Sequence, residues 1–260
     1  MFCVKPPRTW HGMRWGMAEA RWQEPAETPA DSSQATLVGV GGVVMELFAE
    51  GGLWWADTRM LVVADLHLEK GSSFARRGQL VPPYDTSETL ARLARLIARL
   101  EPRVVVALGD SFHDNAGAAR LSASHRQMLK GLQVGREWIW IAGNHDPDRP
   151  VDVGGDAMDE FGVGRLIFRH EPRAGAAPGE VAGHLHPCAR VSGSGKSVRR
   201  RCFAGDGERL ILPAFGAYAG GLNVLDPAIL GLFAVETFRA FALGEDRVYP
   251  VGMRALAGGH

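Results

Sequence analysis

Eight side chains that can bind metal ions or transfer protons follow short apolar runs of the sequence. They are carboxylates, imidazoles and one amide: Asp65, His67, Asp110, Asn144, His145, His170, His184 and His186. Mixed oxygen and nitrogen ligands of this kind suit divalent ions such as Mn²⁺, Fe²⁺ or Zn²⁺. Their number suits two ions, which together polarise phosphoryl oxygens and lower the pKa of a bridging water. The pattern therefore predicts hydrolysis of phosphate esters, with phosphodiesters as the expected class.

Each cluster also has an ordinary structural interpretation. Asp65-Leu66-His67 and Gly109-Asp110 are common turn sequences, in which glycine adopts unusual φ values and aspartate caps the following backbone. Gly143-Asn144-His145-Asp146 is compatible with a tight turn, and an isolated histidine such as His170 is more often structural than a ligand. These interpretations would have to hold five times, in order, each at the end of an apolar run. We therefore favour the metal site.

Three buried strands are predicted to end at the first three clusters. The continuous apolar runs are Met60–Ala64, Arg103–Leu108 and Glu137–Ala142. An amphipathic helix is predicted over Asp85–Leu100, where Pro102 ends it, and a second helix at about Arg120–Leu132. Because α/β sheets bind ligands beyond the carboxyl ends of their strands, the three clusters are expected to converge.

The second half of the chain is predicted to contain short strands separated by glycine-rich turns. These strands are predicted at Arg165–Phe168, Glu180–Ala182, Ala189–Val191, Arg201–Ala204, Leu210–Leu212, around Val224, at Leu232–Val235 and at Arg247–Val251. The polar clusters at His170 and at His184–His186 follow two of them. Two sheets, one from each half, would pack as a sandwich.

Length and composition are ordinary for a globular protein. The 260 residues suffice for one large α/β or α+β domain or for two small ones. A formal net charge of zero gives no global electrostatic argument for nucleic-acid or membrane binding, although local basic patches are compatible with it. Three cysteines without CxxC spacing make a disulfide framework unexpected, and no apolar run approaches the roughly 18 residues that span a bilayer. We predict a soluble, cytoplasmic protein.

The first 35 residues differ from the rest in composition. Glu24–Gln34 is rich in proline, alanine and polar residues, which predicts a disordered tail. The tryptophans of this segment leave open an anchoring role, and a start at Met13 or Met17 is an alternative. The predicted boundaries are 1–35 for the tail, 36–252 for a single domain and 253–260 for a short C-terminal extension.

The clusters resemble, in order and spacing, those of the calcineurin-like metallophosphoesterase superfamily. Its pattern is DxH, GD, GNH[DE], H and GHxH, and all five blocks occur here between Asp65 and His186. The resemblance implies a four-layer α/β/β/α sandwich of two mixed β-sheets flanked by helices. It also implies two divalent metal ions, for which Mn²⁺ is our first choice and Fe²⁺, Zn²⁺ or Mg²⁺ are alternatives.

The superfamily pattern, carried over residue by residue, assigns seven ligands to two ions. One ion would be held by Asp65, His67 and His186, and the other by Asn144, His170 and His184, with Asp110 bridging them. His145 would protonate the leaving-group oxygen. Asp146 would orient His145 by accepting a hydrogen bond from its ring, and a simple turn role is the alternative for Asp146.

A narrower resemblance is to the bacterial ligase-associated DNA damage response endonuclease family. It is carried by Asp65–Thr86, Gly109–Asp114, Phe168–Pro172 and Leu212–Val224. Members of that family are found with a DNA ligase, a helicase and a nuclease, which implies a role in DNA repair and a functional association with those proteins. The metal site by itself specifies only phosphoester chemistry.

Two basic segments near the motifs are candidates for binding the phosphates of a phosphodiester substrate such as DNA. Arg76 and Arg77 lie in a predicted loop flanked by glycine and serine, and a second basic run contains Lys196 and Arg199–Arg201. The alternative interpretation of both is a solvated surface.

Two aromatic residues and one further histidine are also candidate substrate contacts. Phe215 and Tyr218 lie in a glycine-rich segment that would rim the site, where an aromatic ring can stack on a base. The alternative for both is core packing. His113 follows Asp110 closely and would contact either the substrate or the ligands.

Three functions are consistent with the sequence. The first is a nuclease or phosphodiesterase that acts on DNA in repair. The second is a small-molecule phosphatase or nucleotide pyrophosphohydrolase that uses the same metals. The third is a non-catalytic scaffold for repair partners, against which the intact ligand set and His145 argue, because a scaffold has no need of a proton donor.

Overall fold

The computed structural model describes residues 35–258, apart from residues 80, 81, 83, 147–151, 194 and 195. The tail predicted for residues 1–35 lies outside the described residues except for Ala35, and so does Cys3. Cys188 and Cys202 are buried free thiols. None of the described helices is long and apolar enough to cross a membrane.

Seven strands in the described part of the chain form the first sheet, in their order along the sequence. They are β1 (Thr36–Val40), β2 (Val43–Leu47), β3 (Leu53–Trp55), β4 (Met60–Ala64), β5 (Val104–Leu108), β6 (Glu137–Ile141) and β7 (Asp156–Met158). The pairing is antiparallel from β1 to β4 and parallel from β4 to β7. Ala64 lies opposite Leu108, and Leu108 lies opposite Ile141, so β4, β5 and β6 end at one edge as predicted.

The second sheet is built from the other half of the chain and contains nine described strands. They are β8 (Glu160–Val163), β9 (Leu166–Arg169), β10 (Glu180–Ala182), β11 (Pro187–Gly193), β12 (Lys196–Gly205), β13 (Leu210–Ile211), β14 (Leu222–Asn223), β15 (Arg239–Leu243) and β16 (Val248–Gly252). Their spatial order is β14-β11-β12-β13-β10-β9-β8, and β15 pairs with both β12 and β16. β9, β10 and β13 are mutually parallel, so the first two of these strands also end at a common edge.

Helices connect the strands mainly in the first half of the chain. They are α1 (Lys70–Arg76), α2 (Asp85–Leu100), α3 (Gly117–Arg120), α4 (Ala123–Gln133) and α5 (Pro227–Leu230), with 3-10 turns at Ala56–Thr58 and Met253–Ala255. α2 has the predicted bounds. α4 begins three residues later than predicted because the Ser122 hydroxyl caps it, accepting a hydrogen bond from the His125 N–H at 3.1 Å.

Three apolar layers hold the elements together. Leu90, Leu93 and Leu96 of α2 pack against the outer face of the first sheet. Alternate residues of the same strands, such as Val62 and Val106, face the second sheet and pack with its inner side chains. A third cluster covers the outer face of the second sheet. The predicted sandwich of two mixed sheets with flanking helices is confirmed.

The outer layer on the second sheet is thinner than the helical layer on the first. It consists of the four-residue α5 and the turns that follow it. The strand predicted at Leu232–Val235 is wrong, because the N–H groups of Leu232 and Phe233 donate back to carbonyls of α5 and keep the chain in turns. Phe233 then packs on Phe238 with ring centroids 5.3 Å apart, so the apolar residues of this segment serve the core without forming a strand.

A buried ionic network joins β9, β10 and the start of β13. Glu180 is only 3% exposed, and its Oε1 accepts from the guanidinium of Arg169 at 3.0 Å. Its Oε2 accepts from Nε of Arg209 at 3.0 Å, and a second Arg209 nitrogen lies close to the same oxygen. The guanidinium of Arg169 also donates to the carboxylate of Glu160 at 2.9 Å. Both buried arginines are therefore neutralised by carboxylates.

Glu180→Ala is expected to lower the free energy of unfolding by about 3–5 kcal/mol, because it leaves two buried guanidinium groups without their shared carboxylate. Urea unfolding, followed by circular dichroism, measures this loss. Glu245→Ala, which removes an exposed carboxylate, is the matched control and should change stability by less than about 0.5 kcal/mol. A loss below about 1 kcal/mol for Glu180→Ala would contradict the importance of the network.

Candidate metal centre

The polar clusters of the first sheet lie together at the edge where its parallel strands end. Asp65 and His67 follow β4, Asp110 follows β5, and Asn144 follows β6. The N–H of His67 donates to the Asp110 carbonyl at 2.9 Å, which ties the loop after β4 to the loop after β5. The strand register thus places the three clusters next to one another, as the sequence predicts.

The second sheet contributes three histidines to the same place. His170 follows β9, His184 follows β10, and His186 precedes β11. The backbone N–H of His184 donates to the Asp65 carboxylate at 3.0 Å, so the loops of the two sheets are joined directly. The centre is therefore assembled at the interface between the two halves of the sandwich.

Asp65, His67 and His186 form the first group of converging ligand atoms. Nε2 of His67 lies 3.2 Å from Nε2 of His186, and the latter lies 3.3 Å from Oδ1 of Asp65. Asp65 is fully buried, and His67 is only 4% exposed. The structure brings together the three residues that the sequence assigned to one ion.

Asp110, His170 and His184 form the second group. Nε2 of His170 lies 3.1 Å from Nδ1 of His184 and 3.4 Å from Oδ1 of Asp110. Nδ1 of His170 donates to the Leu108 carbonyl at 3.0 Å, which leaves Nε2 facing the group. Nδ1 of His170 also lies 3.7 Å from Oδ1 of Asp65, so the two groups adjoin.

Asn144 is the remaining ligand assigned from the sequence. It is exposed, and it lines a cavity of about 360 Å³ together with His170. Arg169, Arg173, Asp159 and Glu171 also line this cavity, and sequence reasoning did not single them out as functional. The Phe168–Pro172 segment, which contains two of these four residues, was the available signal.

The electrostatics of the two groups fit divalent cations. Burial, together with the neighbouring His186, lowers the pKa of His67 to about 2. Burial and the neighbouring His170 also lower the pKa of His184. Ring nitrogen atoms of the imidazoles lie 3.1–3.4 Å from each other and from carboxylate oxygens. This donor set lacks the positive charge that a metal ion would supply, and its nitrogen and oxygen atoms suit Mn²⁺, Fe²⁺ or Zn²⁺.

The ligand loops have an unusual backbone conformation. Five non-glycine residues of the two groups have positive φ values: Asp65 at 53°, His67 at 43°, Asp110 at 45°, His184 at 69° and His186 at 47°. Such values are uncommon for residues with a Cβ atom, and they concentrate at functional sites.

Two glycines of the motifs make the close approach possible. A Cβ atom on Gly109, which also has a φ of 66°, would lie 2.4 Å from the ring of His170. A Cβ atom on Gly183 would lie 2.7 Å from the carboxylate of Asp65. The glycines of the GD and GHxH blocks are therefore required sterically, because each lies against a ligand from another strand.

His145 lies beside the second group with its ring half-exposed. Its backbone N–H donates to Oδ1 of Asp110 at 2.9 Å, and its Nδ1 donates to the carbonyl of His113 at 3.1 Å. Nε2 is left to face the centre, 3.8 Å from Oδ2 of Asp110. A protonated His145 would therefore present its second N–H towards the bound substrate.

The predicted hydrogen bond from the His145 ring to Asp146 is wrong, because the ring uses the His113 carbonyl instead. Oδ2 of Asp146 accepts from the Phe112 N–H at 3.0 Å, and Oδ1 is buried without a hydrogen-bond partner among the described residues. Burial raises the pKa of Asp146 to about 7, and the Phe112 N–H offsets part of that rise. Asp146 thus contacts the loop after β5, which carries both Asp110 and His113.

A profile of the calcineurin-like phosphoesterase family matches residues 58–214, more than half of the 260-residue chain. The chain belongs to this family. The matched span contains both groups of converging ligands, and the resemblance drawn from the sequence is confirmed. This member of the calcineurin-like phosphoesterase family places two candidate metal-binding groups side by side.

Two individual proteins are similar to this calcineurin-like phosphoesterase. The crystal structure of Pseudomonas putida nuclease MPE superposes with a TM-score of 0.65 and 27% sequence identity, covering 84% of this chain and 100% of that one. The 3',5'-cyclic adenosine monophosphate phosphodiesterase CpdA of Pseudomonas aeruginosa is 26% identical over 168 residues. That match covers 62% of this chain and 55% of the relative, so the chain spans little more than half of CpdA.

The candidate substrate contacts lie around the centre in different settings. Arg76 ends α1, so the loop predicted for this residue is wrong, whereas Arg77 lies in the turn that follows the helix. Both arginines are exposed. The ring centroid of His113 lies 5.9 Å from that of His67. Tyr218 is 46% exposed, with a φ of 61°.

The other candidate contacts are divided between core and surface. Phe215 is fully buried, which confirms the core-packing alternative for that residue. Arg199 and Arg200 are exposed on β12, whereas Arg201 is partly buried and donates to the Ala214 carbonyl at 2.8 Å. Arg201 therefore supports the segment before Tyr218 and is not a free surface cation. The side chain of Lys196 lies outside the described part of the chain.

Proposed function

We propose that this calcineurin-like phosphoesterase is a dinuclear metal-dependent phosphodiesterase that cleaves nucleic-acid strands. The observation that carries the proposal is the pair of adjoining ligand groups with Nε2 of His145 facing them, 3.8 Å from Asp110. Similarity to a nuclease over the whole length of that protein supports a polynucleotide substrate. Mn²⁺ is the proposed metal, and Fe²⁺, Zn²⁺ and Mg²⁺ are the alternatives.

The ligand groups suggest how the ions would be held. Asp65, His67 and His186 would hold one, and His170, His184 and Asn144 the other, with Asp110 between them. When bound, such ions polarise phosphoryl oxygens and make water a nucleophile at neutral pH.

The chain's own residues supply the remaining steps. Asp110 fixes the backbone of His145 through the 2.9 Å hydrogen bond from its N–H, and the His113 carbonyl fixes the ring. A protonated His145 gives its Nε2 proton to the departing oxygen, which would otherwise leave as an unstable alkoxide. Asp146 would act as a positioning residue, since it holds the loop that carries the His113 carbonyl.

The biological setting that we propose is bacterial DNA repair, in functional association with a DNA ligase, a helicase and a nuclease. The resemblance of the Asp65–Thr86 and Leu212–Val224 segments to the ligase-associated endonuclease family supports this setting. A cytoplasmic location would follow from such a role.

A small-molecule substrate is the second candidate. Similarity to a cyclic adenosine monophosphate phosphodiesterase favours a nucleotide diester over the monoesters of a phosphatase or the diphosphates of a pyrophosphohydrolase. The same ligand groups and the same proton donor would serve a cyclic diester. The two candidates therefore differ in what binds beyond the scissile phosphate, and not in the metal centre.

We expect the metal-stripped protein to hydrolyse bis-p-nitrophenyl phosphate only after Mn²⁺ or another divalent ion is added, and to hydrolyse p-nitrophenyl phosphate more slowly. Release of nitrophenolate measures both reactions. A labelled single-stranded oligonucleotide and 3',5'-cyclic adenosine monophosphate are then compared under the best metal. Preference for the oligonucleotide supports the nuclease, and preference for the cyclic nucleotide supports the second candidate. Absence of turnover with every metal and substrate would contradict both.

A further inference from the structure

One edge of the metal centre combines positive charge with exposed aromatic rings. We propose that this α1 edge, formed by Lys70, Phe74, Arg77 and Tyr218, binds the part of a nucleic-acid strand that lies on the leaving-group side of the scissile bond. The proposal rests on the phosphodiesterase function above and adds to it a strand-binding subsite.

The position of His145 indicates which side of the centre receives the leaving group. Its ring stacks on His113 with centroids 5.5 Å apart and planes inclined by 20°. His113 in turn contacts Phe74 of α1, with centroids 5.4 Å apart. Because the proton donor stands at this end of the centre, the departing oxygen and the chain attached to it lie towards α1.

The α1 edge carries cations that carboxylates do not fully neutralise. Nζ of Lys70 donates to the Tyr218 carbonyl at 3.0 Å and lies 5.8 Å from the Phe74 ring centre. Arg77 is exposed and has no carboxylate within ion-pair distance among the described residues. The Phe74 ring that Lys70 contacts lies 5.4 Å from the ring of His113, so the charge of Lys70 is close to the site.

The neighbouring carboxylates are already engaged. Asp114 binds Arg120 through two hydrogen bonds, of 2.6 and 2.8 Å. Asp85 accepts from the N–H of Gly71 at 3.0 Å, and its charge raises the pKa of Lys70 by less than burial lowers it. A phosphate of the leaving strand would therefore meet net positive charge on this edge.

Two aromatic rings accompany these cations. Phe74 is partly exposed beside His113, and Tyr218 is 46% exposed with its backbone held by Lys70. Alternation of cations and accessible aromatic rings is the arrangement by which proteins bind single strands, since the cations meet phosphates and the rings stack on bases.

The edge of the centre beside Asn144 has a different charge distribution. Its cavity carries the carboxylates of Asp159 and Glu171, and both of its guanidinium groups are paired, Arg169 with two glutamates and Arg173 with Glu160 at 3.3 Å. Phosphates would bind less favourably there. The asymmetry predicts that a substrate gains more from extension on the leaving-group side than on the other side.

The test compares a single-stranded oligonucleotide with bis-p-nitrophenyl phosphate in the Mn²⁺-loaded protein. For the Phe74→Ala/Arg77→Gln double variant, the ratio of the two kcat/KM values is expected to fall roughly tenfold, since one stacking and one phosphate contact are lost. The dependence of log kcat/KM on log salt concentration for the oligonucleotide should become shallower by about 0.7. Arg77→Gln alone changes an exposed position and carries the salt measurement if the Phe74 change lowers stability.

Arg103→Gln is the matched control, because Arg103 is exposed at the start of β5, at the opposite end of the strand from the metal centre. Its substrate ratio and salt dependence should equal those of the wild type. If the ratio of the two kcat/KM values for the double variant stays within twofold of the wild-type ratio, the α1 edge is not a strand-binding subsite, and the proposed function remains intact. A wild-type protein that hydrolyses neither substrate would instead contradict the proposed function, and this inference with it.

Discussion

Asp110→Ala is expected to remove metal binding and phosphodiester hydrolysis together, with a loss of activity of at least roughly 10⁴-fold. Oδ1 of Asp110 lies 3.4 Å from Nε2 of His170, within the second ligand group. The same oxygen accepts the hydrogen bond that fixes the backbone of His145. One substitution therefore removes a ligand and loosens the proton donor. Calorimetric titration with Mn²⁺ and hydrolysis of bis-p-nitrophenyl phosphate measure the two losses.

Asp246→Ala removes an exposed carboxylate, whose ion-pair partner is Arg247, and is the matched control for charge. It should bind metal and hydrolyse the diester as the wild type does. Retention of both metal equivalents by Asp110→Ala would show that this carboxylate does not bridge the ions. Full activity in that variant would contradict the proposed centre altogether.

His145→Ala is expected to keep the metals but to slow the hydrolysis of alkyl phosphodiesters by roughly 10²–10⁴-fold, the contribution of a positioned acid. The loss should be much smaller for a nitrophenolate leaving group, which departs without a proton. The informative quantity is therefore the ratio of the two losses, measured from kcat/KM for an oligonucleotide and for bis-p-nitrophenyl phosphate.

Metal binding by titration is the control for His145→Ala, since His145 belongs to neither ligand group. Equal losses for both leaving groups would exclude the proposed acid role. His145 would then act on the substrate by position or by charge, because its ring lies beside His67 and Asp110 in either case.

The part of the fold that positions the metal centre is readily predicted from the sequence. β4 and β10 have the predicted bounds, and β5 and β6 differ by one residue, because continuous apolar runs have few alternatives to burial in a sheet. α2 is recognisable because its leucines recur at helical spacing and Pro102 follows it. Since strand ends fix the loops, the convergence of both ligand groups follows from these elements.

Features that depend on tertiary contacts were not predictable in the same way. α1 has the sequence KGSSFAR, which lacks an apolar stripe and contains weak helix formers, so the sequence predicts a loop at Arg76 where the helix ends. The segment at Leu232–Val235 has strand composition but is kept in turns by hydrogen bonds to α5. The partner of the His145 ring is a carbonyl of the loop after β5, and no side-chain pattern identifies a backbone acceptor.

The left-handed backbone conformation of five metal-centre residues lowers the stability of the fold at the positions that serve the centre. Each such residue costs roughly 1 kcal/mol or more relative to a relaxed backbone, and glycine would adopt the same angles with less strain. Substitution of Asp65, His67 or Asp110 by glycine would therefore relieve local backbone strain while removing a ligand of the centre. The side chains at these positions are therefore explained by the chemistry of the centre and not by the stability of the fold.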